Sequence, residues 1–139
     1  MQIQKFMTKN PEFISPQDSL STAAEKMQKL DVGFLPVVDN GKLAGVITDR
    51  DLVIRGLANK WNPEQHQVKE CMSETCYTCF EDDEVEQAVK AMEDKQIRRI
   101  PIVNRENKLV GVISVGDVAC ETHDQKLSGE IIEKISEKR

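Results

Sequence analysis

The chain has 139 residues, enough for one compact domain or for two small repeats that share a core. Hydrophobic residues make up 39% and charged residues 31%, the balance of an ordinary water-soluble protein. A net charge of -5 without a long basic run disfavours nucleic acid as a partner. No run of about eighteen apolar residues could span a membrane, and the N-terminus lacks a signal-peptide core, so a cytoplasmic location is expected.

Hydrophobic periodicity predicts five elements in the first half of the chain. They are an extended piece at Phe13-Ile14, a helix over 19–31, strands over 34–38 and 43–48, and a helix from 51 to about 59. Asp18 or Ser19 is the expected N-cap of the first helix. The sequence Asp39-Asn40-Gly41-Lys42 between the two strands is typical of a tight hairpin turn.

The second half repeats these elements at 77–80, 84–96, 99–103, 108–114 and 117–126. An offset of 65 residues places Met7 on Met72, Asp18 on Asp83, Ala23 on Ala88, Met27 on Met92 and Pro36 on Pro101. One extra residue near Glu106-Asn107 changes the offset to 66, which places Asp51 on Asp117. Asp83 with Glu86 three residues later predicts an Asp-led capping box for the second copy of the helix.

The repeat predicts the organisation of the chain. Repeat 1 is expected at 1–62, repeat 2 at 63–125 and a tail helix at 126–139. Two units are too few for an open solenoid, which generally needs at least about three. The expected fold is therefore α+β with α/β-like character, in which two tandem βαββα repeats pack about a pseudo-two-fold axis. One apolar stripe on the tail favours packing on the domain or on a partner: Leu127, Ile131, Ile132 and Ile135.

One stretch, Gly45-Val46-Ile47-Thr48-Asp49-Arg50-Asp51, returns as Gly111-Val112-Ile113-Ser114-Val115-Gly116-Asp117. Each copy is a short apolar strand, then a hydroxyl residue, then an aspartate three places later. Taken alone, the pattern is typical of a helix N-cap. A hydroxyl, a carboxylate and free helix amides are also the groups that bind a phosphate and paired ribose hydroxyls. Because the pattern returns in register, we favour the second interpretation.

Two adjacent arginines, Arg98 and Arg99, precede the apolar strand of repeat 2, where repeat 1 has Gly33-Phe34. Either an ion pair with an acidic residue or a bound phosphate would explain them, and an Arg–phosphate contact can be bidentate. Arg50 could reach the same region, and Gly116 in the second copy would let a ligand approach the backbone. The polar positions therefore differ between the copies, which predicts two clefts of unequal affinity.

Cysteines at 71, 76, 79 and 120 raise the alternative of a metal or redox site, because Cys76-Tyr77-Thr78-Cys79 is formally a CxxC. His66 and His123 could join such a site. The repeat argues against it, because Cys71 and Cys79 match apolar positions, where cysteine behaves as a small buried hydrophobe. His66 lies in a polar linker and is expected to be solvated.

Two copies of a strand ending Gly-x-Ile-[Ser/Thr]-x-x-Asp, each preceded by Pro-[Val/Ile]-Val and a hairpin, resemble the CBS-domain pair, or Bateman module, over about residues 3–125. The resemblance implies a stand-alone prokaryotic member, βαββα units packed through their sheets, and a homodimer. It also implies clefts that bind an adenine nucleotide such as AMP, ADP or ATP, or in some members S-adenosylmethionine or NAD. The chain would then be a non-catalytic regulatory sensor that passes a change in repeat packing to a partner protein.

The resemblance also implies the ligand contacts. Ribose-binding aspartates match Asp51 and Asp117, and the hydroxyls match Thr48 and Ser114. Phosphate-contacting basic residues match Arg98 and Arg99. The implied adenine contacts are Phe13, Ile14 and Leu35 in one repeat, and Thr78, Cys79 and Ile100 in the other.

No cofactor is implied, and no enzymatic signature is recognisable in the sequence. Two other interpretations stay open. One is a metal- or redox-responsive protein that uses Cys71, Cys76 and Cys79. The other is a ligand-free structural dimerisation module whose tail recruits partners.

Overall fold

The computed structural model describes residues 1–122, with side chains described as far as Ala119. The predicted tail helix at 126–139 and His123 lie outside the described residues. The chain divides into two compact units. Unit 1 holds Met1–Pro11 together with the chain from Tyr77 onward, and unit 2 holds Glu12–Cys76.

Short strands and helices alternate along the described chain. In order they are β1 (Thr8–Lys9), α1 (Leu20–Leu30), β2 (Phe34–Asp39), β3 (Lys42–Thr48), α2 (Asp49–Asp51), β4 (Cys79–Phe80), α3 (Val85–Lys95), β5 (Arg99–Val103), β6 (Leu109–Ser114) and α4 (Val115–Thr122). α2 continues as a π-helical turn over Leu52–Leu57, and 3-10 turns lie at Ile3–Lys5 and Val68–Glu70. The mixed helix and strand content confirms the predicted α+β fold class.

The sheets of the two units are copies of one pattern. Unit 1 has strand order β1-β6-β5-β4, in which β6 is antiparallel to β1 and β5, and β4 is parallel to β5. Unit 2 has the antiparallel pair β2-β3, with single-residue bridges on either side. Ile14 bridges in parallel to Val37 of β2, and Ser73 bridges antiparallel to Val46 of β3. Each pairing in unit 2 has its counterpart in unit 1.

Residues 1–11 and 66–76, which the offset of 65 matches, are called here the leading segments of the two repeats. Each pairs with the hairpin of the other repeat: Thr8 pairs with β6, and Ser73 pairs with β3. The anchors of the leading segments are buried at matching positions, namely Ile3 and Phe6 in unit 1 and Val68 and Cys71 in unit 2. Each compact unit therefore combines the body of one repeat with the leading segment of the other.

Helix α1 begins where the sequence places an N-cap. Ser19 Oγ accepts from Thr22 N at 3.1 Å, so Ser19 rather than Asp18 is the N-cap. Asp18 closes the preceding turn instead, because its Oδ2 accepts from Ser15 N at 3.1 Å. The buried face of α1 contains Leu20, Ala23 and Met27, which recur at the spacing of one helix face.

Helix α3 does not begin with the predicted Asp83 capping box. Its N-cap is Glu84, whose N–H donates to Gln87 Oε1 at 2.9 Å. The Asp83 carboxylate accepts from Phe80 N at 2.8 Å, the same turn closure that Asp18 makes in unit 2. Because that carboxylate is engaged one residue before the helix, the capping role passes to Glu84.

Helix α2 begins two residues earlier than predicted, and its continuation is π-helical rather than α-helical. Gly56 is the buried residue of this turn, where a Cβ would lie 3.5 Å from Leu20 Cδ1. Three apolar side chains of the same turn are exposed: Val53 at 52%, Ile54 at 53% and Leu57 at 73%. Exposed apolar side chains so close together are typical of a contact surface.

Each unit has its own apolar core. The core of unit 1 is built on Ile100, Ile102 and Ile113 of the sheet and on Met92 of α3. The core of unit 2 is built on Leu35, Val37, Ile47 and Met27. None of the helices within residues 1–122 combines the length and the apolar character that crossing a membrane requires.

Candidate functional site

Both copies of the repeated motif fold into the same hydrogen-bonded turn at a helix start. In unit 2, Thr48 N donates to Asp51 Oδ2 at 2.9 Å, and Asp51 N donates to Thr48 Oγ1 at 3.1 Å. In unit 1, Ser114 N donates to Asp117 Oδ2 at 2.9 Å, and Asp117 N donates to Ser114 Oγ at 3.0 Å. The helix-cap interpretation of the motif therefore holds in both copies.

The cap leaves part of each carboxylate for other contacts. A carboxylate has two oxygens with about four acceptor sites, and the cap uses only Oδ2 of Asp51 and of Asp117. Both aspartates are half-buried, and the cap holds each side chain in one orientation. Oδ1 can thus accept from paired hydroxyl groups without loss of the cap, so the structural and ligand-binding roles are compatible.

Unit 1 places cations beside this turn. Arg99 lies directly opposite Ser114 in the β5/β6 pair, and cross-strand partners have Cβ atoms about 4.5–5.5 Å apart on one face. The Arg98 carbonyl accepts from Val115 N at 3.0 Å, which ties this residue to the same turn. Both arginines are exposed, and no acidic side chain within residues 1–119 lies in ion-pair distance of either. The described chain therefore supplies no ion pair to explain them.

Unit 2 keeps the geometry of this corner but changes its side chains. Phe34 lies directly opposite Thr48 in the β2/β3 pair. The Gly33 carbonyl accepts from Asp49 N at 3.0 Å, the same backbone bond that ties Arg98 to its turn. Gly33 and Phe34 therefore occupy the places that the two arginines take in unit 1.

Asp49 is a candidate that sequence reasoning missed. A Cβ built on Gly33 would lie 2.6 Å from Asp49 Oδ2 and 2.9 Å from its Cγ, so the carboxylate fills the space that a side chain at this position would use. Asp49 Oδ1 accepts from Arg50 N at 2.8 Å. A comparison of the two repeats could have found it, because two positions differ together: Gly33 and Asp49 stand where repeat 2 has Arg98 and Val115.

Arg50 and Gly116, the remaining two predicted site residues within the motif, are open to solvent. Arg50 is exposed, and its guanidinium has no ion-pair partner in the part of the chain that has described side chains. Gly116 is also exposed, and a Cβ there would meet only Ser114 Oγ, at 3.6 Å. Gly116 is therefore not required by packing, and the absence of its side chain leaves the turn accessible.

The family model of the CBS domain matches residues 3–56 and 68–122. The chain belongs to the CBS domain family. The two matches fall one on each repeat, which confirms the predicted resemblance and the two tandem CBS repeats.

Curated relatives of similar length agree with this assignment. The chain is 35% identical over 137 residues to the uncharacterized protein YlbB of Bacillus subtilis, covering 97% of this chain and 91% of that one. It is 34% identical over 134 residues to the CBS domain-containing protein YhcV of the same organism, covering 96% and 94%.

Three solved structures are similar in fold and carry ligands. Hypoxic Response Protein I with two coordinated zinc ions has a TM-score of 0.79 and 29% identity, covering 87% of this chain and 98% of that one. CBSX2 in complex with AMP has a TM-score of 0.77 and 26% identity, covering 90% and 98%. The CBS domain pair of protein MJ0100, with 5′-methylthioadenosine and S-adenosyl-L-methionine, has a TM-score of 0.75 and 25% identity, covering 90% and 98%.

The predicted adenine contacts lie mostly inside the CBS units. Ile14, Leu35, Cys79 and Ile100 are at most 3% exposed and belong to the two cores. Phe13, by contrast, is 49% exposed, and Thr78 is half-buried just before β4. The adenine contacts of these side chains stay a prediction.

The three cysteines with described side chains have the surroundings of structural residues, and the side chain of Cys120 lies outside the described part of the chain. Cys71 and Cys79 are buried in the cores, as the repeat predicts, and Cys76 is half-buried. Burial, and to a lesser degree the Asp83 carboxylate, raises the pKa of the Cys79 thiol to about 11. No group of three His, Cys, Asp or Glu side chains within the described CBS repeats is arranged to hold a metal ion.

The prediction of a solvated His66 holds only in part, because its side chain is 28% exposed and makes two contacts. Its ring stacks on Trp61 with centroids 4.2 Å apart, and its Nδ1 lies 3.1 Å from Glu70 Oε1. The aromatic face of Trp61 and the carboxylate hold the imidazole in place.

A surface pocket of about 240 Å³ in unit 1 lies away from the motif. It is lined by Gln4, Phe80, Glu81, Asp82, Val103, Asn104 and Arg105. The Arg105 guanidinium stacks 3.8 Å from the Phe80 ring centre and lies 3.1 Å from Asp82 Oδ1. None of the predicted site residues lines this pocket.

Proposed function

We propose that this CBS protein is a non-catalytic regulatory sensor that binds an adenosine-containing ligand, with AMP, ADP or ATP as the preferred class. S-adenosylmethionine and NAD are the alternatives within the same chemistry. Binding shifts the packing of the repeats and thereby acts on a partner protein. A ligand can do this only through different affinities for the two arrangements.

The observation that carries the proposal is the set of groups around Ser114. Arg99 lies opposite Ser114, and Arg98 is tied through its carbonyl to Val115 N. Two arginines without an acidic partner among the described residues therefore adjoin a hydroxyl and a capped aspartate with a spare oxygen. Two guanidinium groups suit a phosphate, and the aspartate suits ribose hydroxyls. An Arg–phosphate hydrogen bond contributes about 1.5–3 kcal/mol.

Solved relatives support this choice of ligand. The AMP complex of CBSX2 and the methylthioadenosine and S-adenosylmethionine complex of MJ0100 both place an adenosyl compound on a CBS fold. The compounds share adenosine and differ in the group at its 5′ carbon. The ribose-binding aspartate is therefore the part of the site that we expect all ligand classes to use.

AMP at about a hundred times its dissociation constant is expected to raise the unfolding temperature by about 5–10 °C. The expected gain in unfolding free energy is about 2.7 kcal/mol at that excess. Asp117→Ala should abolish the rise, because it removes the ribose acceptor beside the two arginines. The measurement is thermal unfolding of wild type and variant with AMP, ADP, ATP, NAD and S-adenosylmethionine.

Asp51→Ala is the matched control for this test. It removes the same kind of capping bond from the other motif, so both variants lose about 1 kcal/mol of cap stability without ligand. Only Asp117→Ala should also lose the response to AMP. If none of the five compounds raises the unfolding temperature of the wild type, the adenosine-sensor proposal fails.

We also propose that two copies of the chain associate through the π-helical turn of unit 2. Val53, Ile54 and Leu57 expose apolar surface there within five residues. Leu57→Lys is expected to convert a dimer into a monomer, because a lysine ammonium in an apolar contact loses its hydration without a partner. Light scattering after size exclusion measures the mass, and Leu30→Lys, at a 37% exposed leucine of α1, is the control. A wild type with the mass of one chain contradicts self-association.

A further inference from the structure

The two CBS repeats carry opposite charge at equivalent corners. In unit 1, Arg98 and Arg99 carry two positive charges and Asp117 carries one negative charge, so the corner has one net positive charge. In unit 2, Asp49 and Asp51 against Arg50 leave one net negative charge. The backbone bond from Asp49 to Gly33 matches the bond from Val115 to Arg98, so the comparison is between equivalent places.

Resting on the proposed function, we propose that Asp49 is a specificity-determining residue that excludes phosphate from the corner of unit 2. This corner then takes an adenosyl ligand whose 5′ substituent is uncharged or cationic. Ligands that carry phosphate go to Arg98 and Arg99 in unit 1. The chain would thus respond to two chemical classes of adenosyl compound through two unlike sites.

The position of the Asp49 carboxylate supports this role. It lies against Gly33, where a Cβ would come within 2.6 Å of its Oδ2. The hydrogen bond from Arg50 N to Oδ1, at 2.8 Å, holds it there. In the region whose side chains are described, no cation forms an ion pair with Asp49, so its charge is not neutralised locally. The carboxylate therefore stands at the place that a guanidinium residue takes in unit 1.

Phe34 completes the difference between the two corners. It lies opposite Thr48, as Arg99 lies opposite Ser114. An aromatic ring offers an apolar surface to a thioether or alkyl substituent, and its face attracts a cation such as a sulfonium. The ring cannot donate hydrogen bonds to a phosphate. Unit 2 therefore has the Phe34 ring in place of Arg99, and Gly33 with the Asp49 carboxylate beside it in place of Arg98. Both changes disfavour a phosphate.

A helix-start aspartate can also be explained by the helix dipole alone. Unit 1 argues against this as the whole reason, because the equivalent helix start carries the uncharged Val115 and keeps the same capping box. The cap in unit 2 is made by Asp51, not by Asp49. Asp49 is therefore outside the Thr48–Asp51 capping box: its Oδ1 accepts from Arg50 N, and its Oδ2, which lies against Gly33, is left for selectivity.

The test compares AMP with 5′-methylthioadenosine, which has the same nucleoside without phosphate, by calorimetric titration of the full chain. Asp117→Ala serves as the background, because it removes the ribose contact of unit 1 and leaves unit 2 as the site that is measured. In this background Asp49→Asn keeps the size of the side chain and an oxygen for Arg50 N, and it removes only the charge. AMP should then bind about 3- to 10-fold more tightly, from one carboxylate–phosphate repulsion across partly exposed space. Binding of 5′-methylthioadenosine should change less than about 2-fold, because an uncharged substituent feels no net repulsion.

Asp39→Asn is the matched control, because it removes one negative charge from an exposed position in the β2–β3 hairpin of the same unit. It should leave the AMP affinity unchanged. The effect of Asp49→Asn should also shrink at about 1 M salt, where the screening length is near 3 Å.

The outcomes separate this inference from the proposed function. If wild type binds neither AMP nor 5′-methylthioadenosine, this inference fails, and the sensor proposal fails with it only if ADP, ATP, NAD and S-adenosylmethionine also leave the unfolding temperature unchanged. If wild type binds but Asp49→Asn leaves AMP affinity unchanged in the Asp117→Ala background, only the role of Asp49 is overturned. An equal gain with Asp39→Asn also overturns it, because overall charge would then be the cause.

Discussion

Replacing Ile113 by alanine is expected to lower the free energy of unfolding by about 2–5 kcal/mol. Ile113 is 0% exposed and lies opposite Ile100 in the β5/β6 pair. Truncation removes apolar contacts and leaves a cavity, because a close-packed interior relaxes only in part. A loss of this size is a large fraction of the roughly 5–15 kcal/mol that stabilises a typical domain.

Urea unfolding followed by circular dichroism measures this loss, and Leu30→Ala is its control. Leu30 is 37% exposed and lies outside the π-helical turn, so the same kind of truncation should cost less than about 1 kcal/mol. Because Ile113 directly precedes Ser114, the variant should also weaken AMP binding at the adjoining corner. Equal losses at the two positions would mean that the core of unit 1 is not built around this strand pair.

Gly45→Ala is expected to cost about 3 kcal/mol, the upper end of what overpacking usually costs. A Cβ at this position would run into the backbone carbonyl oxygen of Ser73, which bridges to Val46. A flexible side chain could move aside, but a paired backbone segment can move only by breaking its bridge. The substitution should therefore release the second leading segment from unit 2 as well as lower the unfolding midpoint.

Two other glycines provide the comparison for Gly45. In Gly111→Ala the nearest obstacle is the flexible Met7 side chain, with Thr8 O at 2.9 Å, so the loss should be smaller. In Gly116→Ala the new methyl group meets only Ser114 Oγ at 3.6 Å, so stability should stay level or rise by a few tenths of a kcal/mol, given the low helix propensity of glycine. Hydrogen exchange at Ser73 N measures release of the segment. A Gly45→Ala variant with unchanged stability and unchanged exchange at Ser73 N would contradict the close approach of Ser73 O to Gly45.

The order of elements could be predicted from the sequence because the same pattern occurs twice. Periodicity in one copy supported the assignment in the other, and the Asn40-Gly41 hairpin fixed the strand boundaries. Helix starts were harder, because several adjacent acceptors compete for the same free amides. Asp18 and Asp83 close turns in the structure, and the caps pass to Ser19 and Glu84.

Each leading segment pairs with the hairpin of the other repeat, and this exchange of the leading segments could not be predicted from the sequence repeat. The offset of 65 matches Thr8 with Ser73 but does not determine which hairpin each residue pairs with. That choice depends on the reach of the connecting chain and on which sheet edge is free, and neither property is local in sequence. Gly45 and Gly111 are the local sequence feature that goes with the exchange, because each leaves room for a segment from the other repeat.

The candidate site was predicted in part. The paired hydroxyl and aspartate positions were recognisable because their spacing is set by one helical turn, and the structure closes both turns. The negative charge that Asp49 adds to the corner of unit 2 was not recognisable, because a single acidic residue among 24 carries no signal by itself. It becomes visible when Gly33 and Asp49 are compared together with Arg98 and Val115.

The exchange of the leading segments also determines how the chain would respond to mechanical force. The chain leaves unit 1 after Pro11 and returns to it at Tyr77, so unit 2 is a continuous insertion. Tension applied between Met1 and Thr122 loads the contacts of the first leading segment with unit 1, namely the backbone hydrogen bonds to residues 81–85 and the β1–β6 pairing, and bypasses the inserted segment. Unit 2 bears load only after those contacts rupture. A machine that pulls the chain from Met1 must therefore detach the first leading segment from unit 1 before unit 2 begins to yield.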